Sequence, residues 1–304
     1  GEEPPFVPFI AKKSLAGPVW STDGWIAQII LNRPLRAPGM SVSALSFGDG
    51  LKGDLYYPLG ADGKMAKGKL PCVIWLHPYS YATGYTHHAA PQLAELVRRG
   101  YAVFAFDQLG FGSRVLDSKD FYRQYPKWSL MGKMVADTRA AVDAATALEM
   151  IDSDRVFLAG YALGAKVGLF AAALDERVRG VAAVAGVEAL RLDMPSKGTE
   201  GVRHYSHLHG LIPRFGFFTG QEGRLPIDFD EVVAAIAPRP LLVVSPVLDR
   251  FAPIGDVRSV VTAGSAAYRL LGVEQAISFQ TPMDFNRYPR ETQEMVLDWL
   301  DRIR

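Results

Sequence analysis

Residues 159–166 read Ala-Gly-Tyr-Ala-Leu-Gly-Ala-Lys, and the fold is decided there. Residues 155–158, just before, form a short apolar run of the kind that makes a buried strand. Residues 167–173, just after, have the composition of a helix. A strand, then Gly-x-?-x-Gly, then a helix is the setting of a nucleophilic serine on a strained turn. Gly160 and Gly164 leave room for strand and helix to approach, and Ala165 is also small. The central position, however, is Ala162, which has no lone pair to attack with. A plain strand-to-helix turn with two glycines is common, so the motif needs its surroundings.

Working outward, the chain alternates. Strands are expected at 42–47, 51–57, 72–76, 102–106, 155–159, 180–185, 240–245 and 276–280. The first two alternate apolar and polar residues, as antiparallel edge strands do; the later ones are continuous apolar runs, as strands covered on both faces must be. Helical periodicity places Met131, Met134, Val135, Thr138, Val142, Ala145 and Leu148 on one face of a helix at 131–148. Met295, Val296, Trp299, Leu300 and Ile303 do the same at 291–303, and further helices fall near 89–99, 163–174, 230–236 and 256–271. The pattern predicts an α/β fold, a mostly parallel sheet with helices on both faces. Residues 1–41 read as an extended arm and 42–304 as one domain. An insertion at about 188–228 breaks the alternation and is placed to cap the mouth of the sheet as a lid.

Composition fits a globular chain: of 304 residues, 49% are hydrophobic and 21% charged. A formal net charge of +1 gives no field that would draw nucleic acid or an anionic membrane, and no apolar stretch is long enough to span a bilayer. The single cysteine, Cys72, lies in an apolar run and reads as an inert core residue. The start, Gly1-Glu2-Glu3-Pro4-Pro5, has no signal-like core. A secreted or periplasmic protein with its signal removed begins this way, and so does any trimmed chain, so the compartment stays open.

Three loops flank the elbow. Leu76-His77-Pro78-Tyr79 follows the third strand, Asp107-Gln108-Leu109-Gly110-Phe111-Gly112-Ser113-Arg114 the fourth, and Pro246-Val247-Leu248-Asp249-Arg250 the seventh. With residues 229–240, Phe-Asp-Glu-Val-Val-Ala-Ala-Ile-Ala-Pro-Arg-Pro, these make the chain from about residue 42 onward resemble the α/β-hydrolase superfamily. The likeness is to its acetyl-xylan-esterase and dienelactone-hydrolase-like branch. The resemblance implies carboxylic ester hydrolysis, with Ala162 in the nucleophile's place and Asp249 as the acid. It also implies oxyanion donors at the Leu163 N–H and in the loop of His77 and Tyr79.

Two departures stand out. Ala162 is one. The other is the loop after the last strand, where the family keeps its base: Thr281-Pro282-Met283-Asp284-Phe285-Asn286-Arg287-Tyr288 holds no histidine, and none follows His209. The lid's Arg203-His204-Tyr205-Ser206-His207-Leu208-His209-Gly210 offers replacements. If that run is extended, His207 and His209 share one face, and one of them serves as base with Asp249 or Asp284 behind it. The alternative is that these histidines only pack within the lid. A zinc site is the rival, but no Cys or HExxH pattern supports it, and Ser206 is not on a strained, donor-lined turn. Arg114 and Arg203 are candidates to bind a substrate carboxylate, against the default of surface ion pairing. Tyr79, Tyr81, Tyr85 and Trp128 are candidate sugar-stacking aromatics or ordinary core edge.

Two functional expectations follow. One is a serine-type carboxylic ester hydrolase, on acyl or uronate esters of carbohydrates, present here as a variant inactivated by deliberate replacement of its serine with Ala162. The other is a non-catalytic binding protein on the same fold. Both call for a small-molecule or saccharide ester as partner and for no metal or cofactor; oligomeric state is left open.

Overall fold

The computed structural model describes residues 34–65, 68–197 and 201–304. The expected arm over 1–41 lies mostly outside the described residues. Its described end runs into β1 (Met40–Phe47), which starts two residues before the expected strand.

The other strands are β2 (Leu51–Pro58), β3 (Leu70–Leu76), β4 (Ala102–Ala105), β5 (Ile151–Tyr161), β6 (Gly180–Val184), β7 (Leu241–Val244) and β8 (Ile277–Gln280). They form one sheet in the order β1-β2-β4-β3-β5-β6-β7-β8. β1 pairs antiparallel with β2, and β2 antiparallel with β4. Every other pairing is parallel. The fold is therefore the mostly parallel α/β sheet expected, with strands at all eight sites. β5 begins four residues early: Ile151 pairs with Leu70 before a register shift, and polar Asp152-Ser153-Asp154 hides this part of the strand from a hydrophobicity reading.

The central strands are apolar throughout because both faces are covered. On β3, Cys72, Ile74 and Leu76 face one layer, and Val73 and Trp75 the other. The first layer is built from α3 (Leu130–Ala147), α4 (Leu163–Leu174), α5 (Phe229–Ile236) and α6 (Ile254–Leu270). The second is built from α1 (Thr86–Arg98) and α7 (Arg290–Ile303), while a single turn, α2 (Phe121–Gln124), lies in the loop after β4. Cys72 is wholly buried, and desolvation pushes its thiol pKa up to about 12, which makes it a core residue and no nucleophile.

The chain leaves β3 for β4 on one side and returns through α3 to β5 on the other. Strand order thus reverses beside β3, and ligands of such sheets bind at that reversal, outside the strands' carboxyl ends. The loops after β3, β4, β5, β6, β7 and β8 gather there. Between β6 and α5, the described residues hold only short 3-10 turns and one π-helical turn, His204–Leu208. α5 then starts at a capping box, with the Asp228 side chain receiving the Glu231 N–H and the Glu231 side chain receiving the Asp228 N–H at 2.8 Å.

Candidate active site

Ala162 sits between β5 and α4 at φ 49°, ψ −114°, a backbone conformation that a residue with a Cβ avoids. Its N–H donates to the Val184 carbonyl at 2.9 Å, and its carbonyl receives the Lys166 N–H at 3.1 Å. The glycines are sterically required. A Cβ on Gly160 would lie 2.4 Å from the Gly164 carbonyl carbon, and one on Gly164 only 1.9 Å from the Leu76 oxygen. Leu163 is the first residue of α4, so its N–H has no acceptor within the helix. The strained backbone and the required glycines give this turn the form expected of a nucleophile elbow, with the Ala162 methyl at its tip.

In the loop after β3, the imidazole of His77 is not available to the elbow. That ring is buried and fully engaged: Nε2 accepts the Gln108 N–H at 2.9 Å, which leaves the proton on Nδ1. Nδ1 lies 2.6 Å from the Pro78 carbonyl and 3.0 Å from the Ser80 hydroxyl. Burial lowers the His77 pKa, so the ring stays neutral and staples the β3 and β4 loops together. Proline 78 has no N–H, so the next backbone donor of this loop is that of Tyr79.

Asp249, 5% exposed, follows β7, where the sequence reading expects the acid. Its Oδ1 accepts the Phe251 N–H at 2.9 Å, and its Oδ2 accepts a side-chain N–H of Asn286 at 2.9 Å. Asn286, in the loop after β8, in turn accepts the Tyr161 hydroxyl at 2.9 Å on Oδ1. Tyr161 immediately precedes Ala162, and its ring stacks on Tyr288, which stacks on Trp75. Asn286 thus makes toward the acid the hydrogen bond that an imidazole N–H would make. Its amide nitrogen has no free lone pair with which to take a proton. Nothing in the sequence marks Asn286 apart from its place in the loop where a histidine is expected, an amide that copies the imidazole's donor.

The lid departs from the expected strand-like pairing. Residues 204–208 form a π-helical turn, closed by the His209 N–H on the His204 carbonyl at 2.9 Å. His204 and His209 therefore come together, ring centroids 6.1 Å apart, and His207 diverges. His209 stacks on Tyr79 at 4.5 Å, and His204 lies edge-on to Phe251 at 6.5 Å. These contacts put both rings between the β3 and β7 loops. Nδ1 of His204 is buried without a hydrogen-bond partner among the described residues. His207 is exposed and holds the Ser206 hydroxyl at 2.6 Å.

Other candidates also move. Asp284 binds Arg287 at 2.6 and 2.8 Å and caps the Phe285 N–H; the guanidinium holds its carboxyl below the usual range, and no histidine is its partner in these contacts. Arg114 is bound to buried Asp137 at 2.8 Å and to Asp117 at 3.1 Å, in a cleft whose lining shares no residue with the elbow or the acid loop. The fork it offers was already matched by acids within its own loop and on α3. Trp128 lines the same cleft. Arg203 is exposed on the lid, and Tyr81 is 69% exposed at φ 45°. Tyr85 is buried against Tyr56 and Asp54.

Sequence reasoning also missed Lys166. It lies one turn into α4 from the elbow, wholly buried, with Nζ 2.5 Å from Oε1 of Glu188 in the loop after β6. The ammonium faces the rings of Tyr205 at 5.3 Å and Tyr79 at 5.8 Å, so a buried ion pair sits under the lid. A single charged residue in the otherwise apolar α4 was the signal. Among the described residues, no group of three His, Cys, Asp or Glu is arranged to hold a metal ion, and no helix is long and apolar enough to cross a membrane.

A family model described as glucuronyl esterase, fungi, matches residues 67–272, more than half of the chain. The chain belongs to the glucuronyl esterase family. Membership sets it among the carboxylic ester hydrolases and bears out the α/β-hydrolase resemblance read from its loops. Among curated proteins, it is similar to "Putative hydrolase YtaP" of Bacillus subtilis (strain 168). That likeness is 24% identical and covers 67% of this chain and 69% of that protein. It is also similar to carbohydrate esterase MZ0003 of an unknown prokaryotic organism, 26% identical over 60% of this chain and 45% of that protein. Among solved structures, a glucuronoyl esterase from Solibacter usitatus superposes with TM-score 0.66, 16% identity and 93% coverage of both chains. A promiscuous CE15 esterase from a marine bacterial metagenome superposes with TM-score 0.68 and 19% identity, covering 88% of this chain and 83% of that one. The span matched to the glucuronyl esterase family includes the elbow, Lys166, Glu188 and Asp249, and ends before Asn286.

Proposed function

We propose that this glucuronyl esterase family member binds a carbohydrate carboxylic ester, a uronate ester foremost, over the elbow and does not cleave it by the serine route. The observation behind this is the pairing of Ala162 on an intact elbow with Asn286 on the acid. Acyl transfer needs an attacking oxygen and a base to take its proton, and both are replaced by side chains that supply neither. What remains beside the elbow is suited to binding: a helix N-terminus at Leu163 and the half-buried, stacked rings of Tyr79 and His209. Two separate replacements favour a binding protein over an esterase stopped by one change.

A second reading keeps His204 and His209 as the base, because both stand between the loops that flank the elbow. On that reading a serine at 162 alone restores turnover.

Titration calorimetry of the chain with the methyl ester of glucuronic acid, followed by chromatography of the mixture, tests the proposal. Saturable heat with no release of free acid above the buffer rate is expected. Acid release that disappears on His209→Ala would refute it.

A further inference from the structure

One hollow of the described molecule lies away from the elbow. A cleft of about 550 Å³ opens between the β1–β2 turn, the loop after β4, α2 and α3. That volume lies in the range of small-molecule sites.

Its floor is charged and rigid. Asp137, 2% exposed, is held by Arg114 at 2.8 Å and by Lys133, and Arg114 also holds Asp117 at 3.1 Å. Its rim is aromatic. Tyr125 is 52% exposed and Trp128 50%, and the Trp128 N–H bonds to the Tyr125 carbonyl at 3.0 Å. Buried Phe121 packs under Tyr125 with ring centroids 5.4 Å apart. The Tyr125 ring is therefore backed from beneath, the backbone bond ties Trp128 to the same turn, and both side chains stay half open to solvent. A second, smaller recess lined by Trp128 continues to Pro213 and Arg214, so Trp128 borders two hollows.

The charges name the ligand's chemistry. Asp49, Asp117 and Asp137 balance Arg114, Lys119 and Lys133, so the lining has no net attraction for an anion. Its exposed polar residues, Asp49, Asp117, Lys119 and Gln124, offer both acceptors and donors beside flat apolar rings. A pyranose has that pattern reversed: an apolar C–H face to lay on an aromatic ring, and hydroxyls at its edge that both donate and accept. Two hollows bordering one platform suit a chain of sugars over a single ring. We propose that this cleft is a second carbohydrate-binding site, which takes a short neutral oligosaccharide with Trp128 as its platform.

The site's wall is tied to the lid. The Tyr122 hydroxyl donates to the Gly210 carbonyl, and the Met131 N–H donates to the Leu211 carbonyl at 3.0 Å. A glycan bound here would lie against the same segment that carries His204 and His209. The proposal does not depend on the reading of the elbow.

Calorimetric titration of the full chain with the neutral hexamers of xylose, glucose and mannose tests it, with hexagalacturonate as the anionic control. At least one neutral hexamer should bind, with an affinity that is the same at low and high salt. Trp128→Ala should weaken it by about tenfold, Tyr125→Ala should weaken it less, and Trp128→Phe should retain it. The half-exposed Trp128 allows the alanine variant to fold, which an unchanged circular dichroism spectrum checks. Binding of methyl glucuronate should be unaffected by Trp128→Ala, which separates this site from the elbow. The proposal is overturned if no neutral hexamer binds, if Trp128→Ala binds as well as the parent, or if hexagalacturonate binds more tightly than every neutral hexamer.

Discussion

Asn286 donates to Oδ2 of Asp249 across 2.9 Å and receives the Tyr161 hydroxyl at 2.9 Å, which joins the acid loop to the residue before the elbow. The bond to a buried carboxylate is charge-assisted and hard to replace with water. Asn286→Ala should destabilise the fold by about 2 kcal/mol, and Tyr161→Phe by about 1 kcal/mol. Urea unfolding measures both. Equal and negligible effects would mean that the chain of bonds is not made in solution.

The strain at Ala162 serves no attacking group in this chain. A residue with a Cβ at φ 49°, ψ −114° costs on the order of 1–3 kcal/mol, and glycine has no such penalty there. Glycine also frees the unfolded chain, which offsets part of the gain. Ala162→Gly should raise stability by about 1 kcal/mol, read as a higher thermal midpoint. A lower midpoint would show that the turn is not strained.

The Lys166–Glu188 pair should be asymmetric to mutation. Removing one partner leaves a buried charge, at about 3–5 kcal/mol, whereas replacing both by apolar side chains removes the uncompensated charge. Lys166→Met should therefore be markedly less stable than the double variant Lys166→Met/Glu188→Leu. Denaturant midpoints of the two variants decide it.

His77 should give stability a pH dependence of known sign. Burial sets its folded pKa below the ordinary 6.5, so below about pH 6.5 the unfolded chain takes a proton that the folded chain refuses. Stability is full above that pH and falls as the pH drops toward the folded pKa. His77→Gln should flatten this part of the curve of unfolding free energy against pH. An unchanged slope would assign the dependence to other groups.

The sheet was legible because the first two strands end at Gly, Pro or Asp and the later ones are apolar where both faces are covered; β5 lost its start to Asp152-Ser153-Asp154. The elbow was legible because backbone contact at Gly160 and Gly164 excludes other residues. Side-chain partners across long separations were not. Arg114 looks like a free cation until α3 brings Asp137 beside it, and the histidine run looks extended until a π-helical turn pairs His204 with His209 instead of His207 with His209. Asn286 became visible only through its two partners, 37 and 125 residues away.

The central claim is that the missing chemistry lies at 162 and 286 together. Initial rates on p-nitrophenyl acetate, a small activated ester, should be measured for Ala162→Ser, Asn286→His and the double variant, each checked for folding. Both single variants should stay near the buffer rate, and the double variant should exceed Ala162→Ser by at least about a hundredfold, the scale of a positioned general base. If Ala162→Ser alone hydrolyses as fast as the double variant, the lid supplies the base and the claim is wrong. A folded double variant that is no faster than either single variant would contradict it equally.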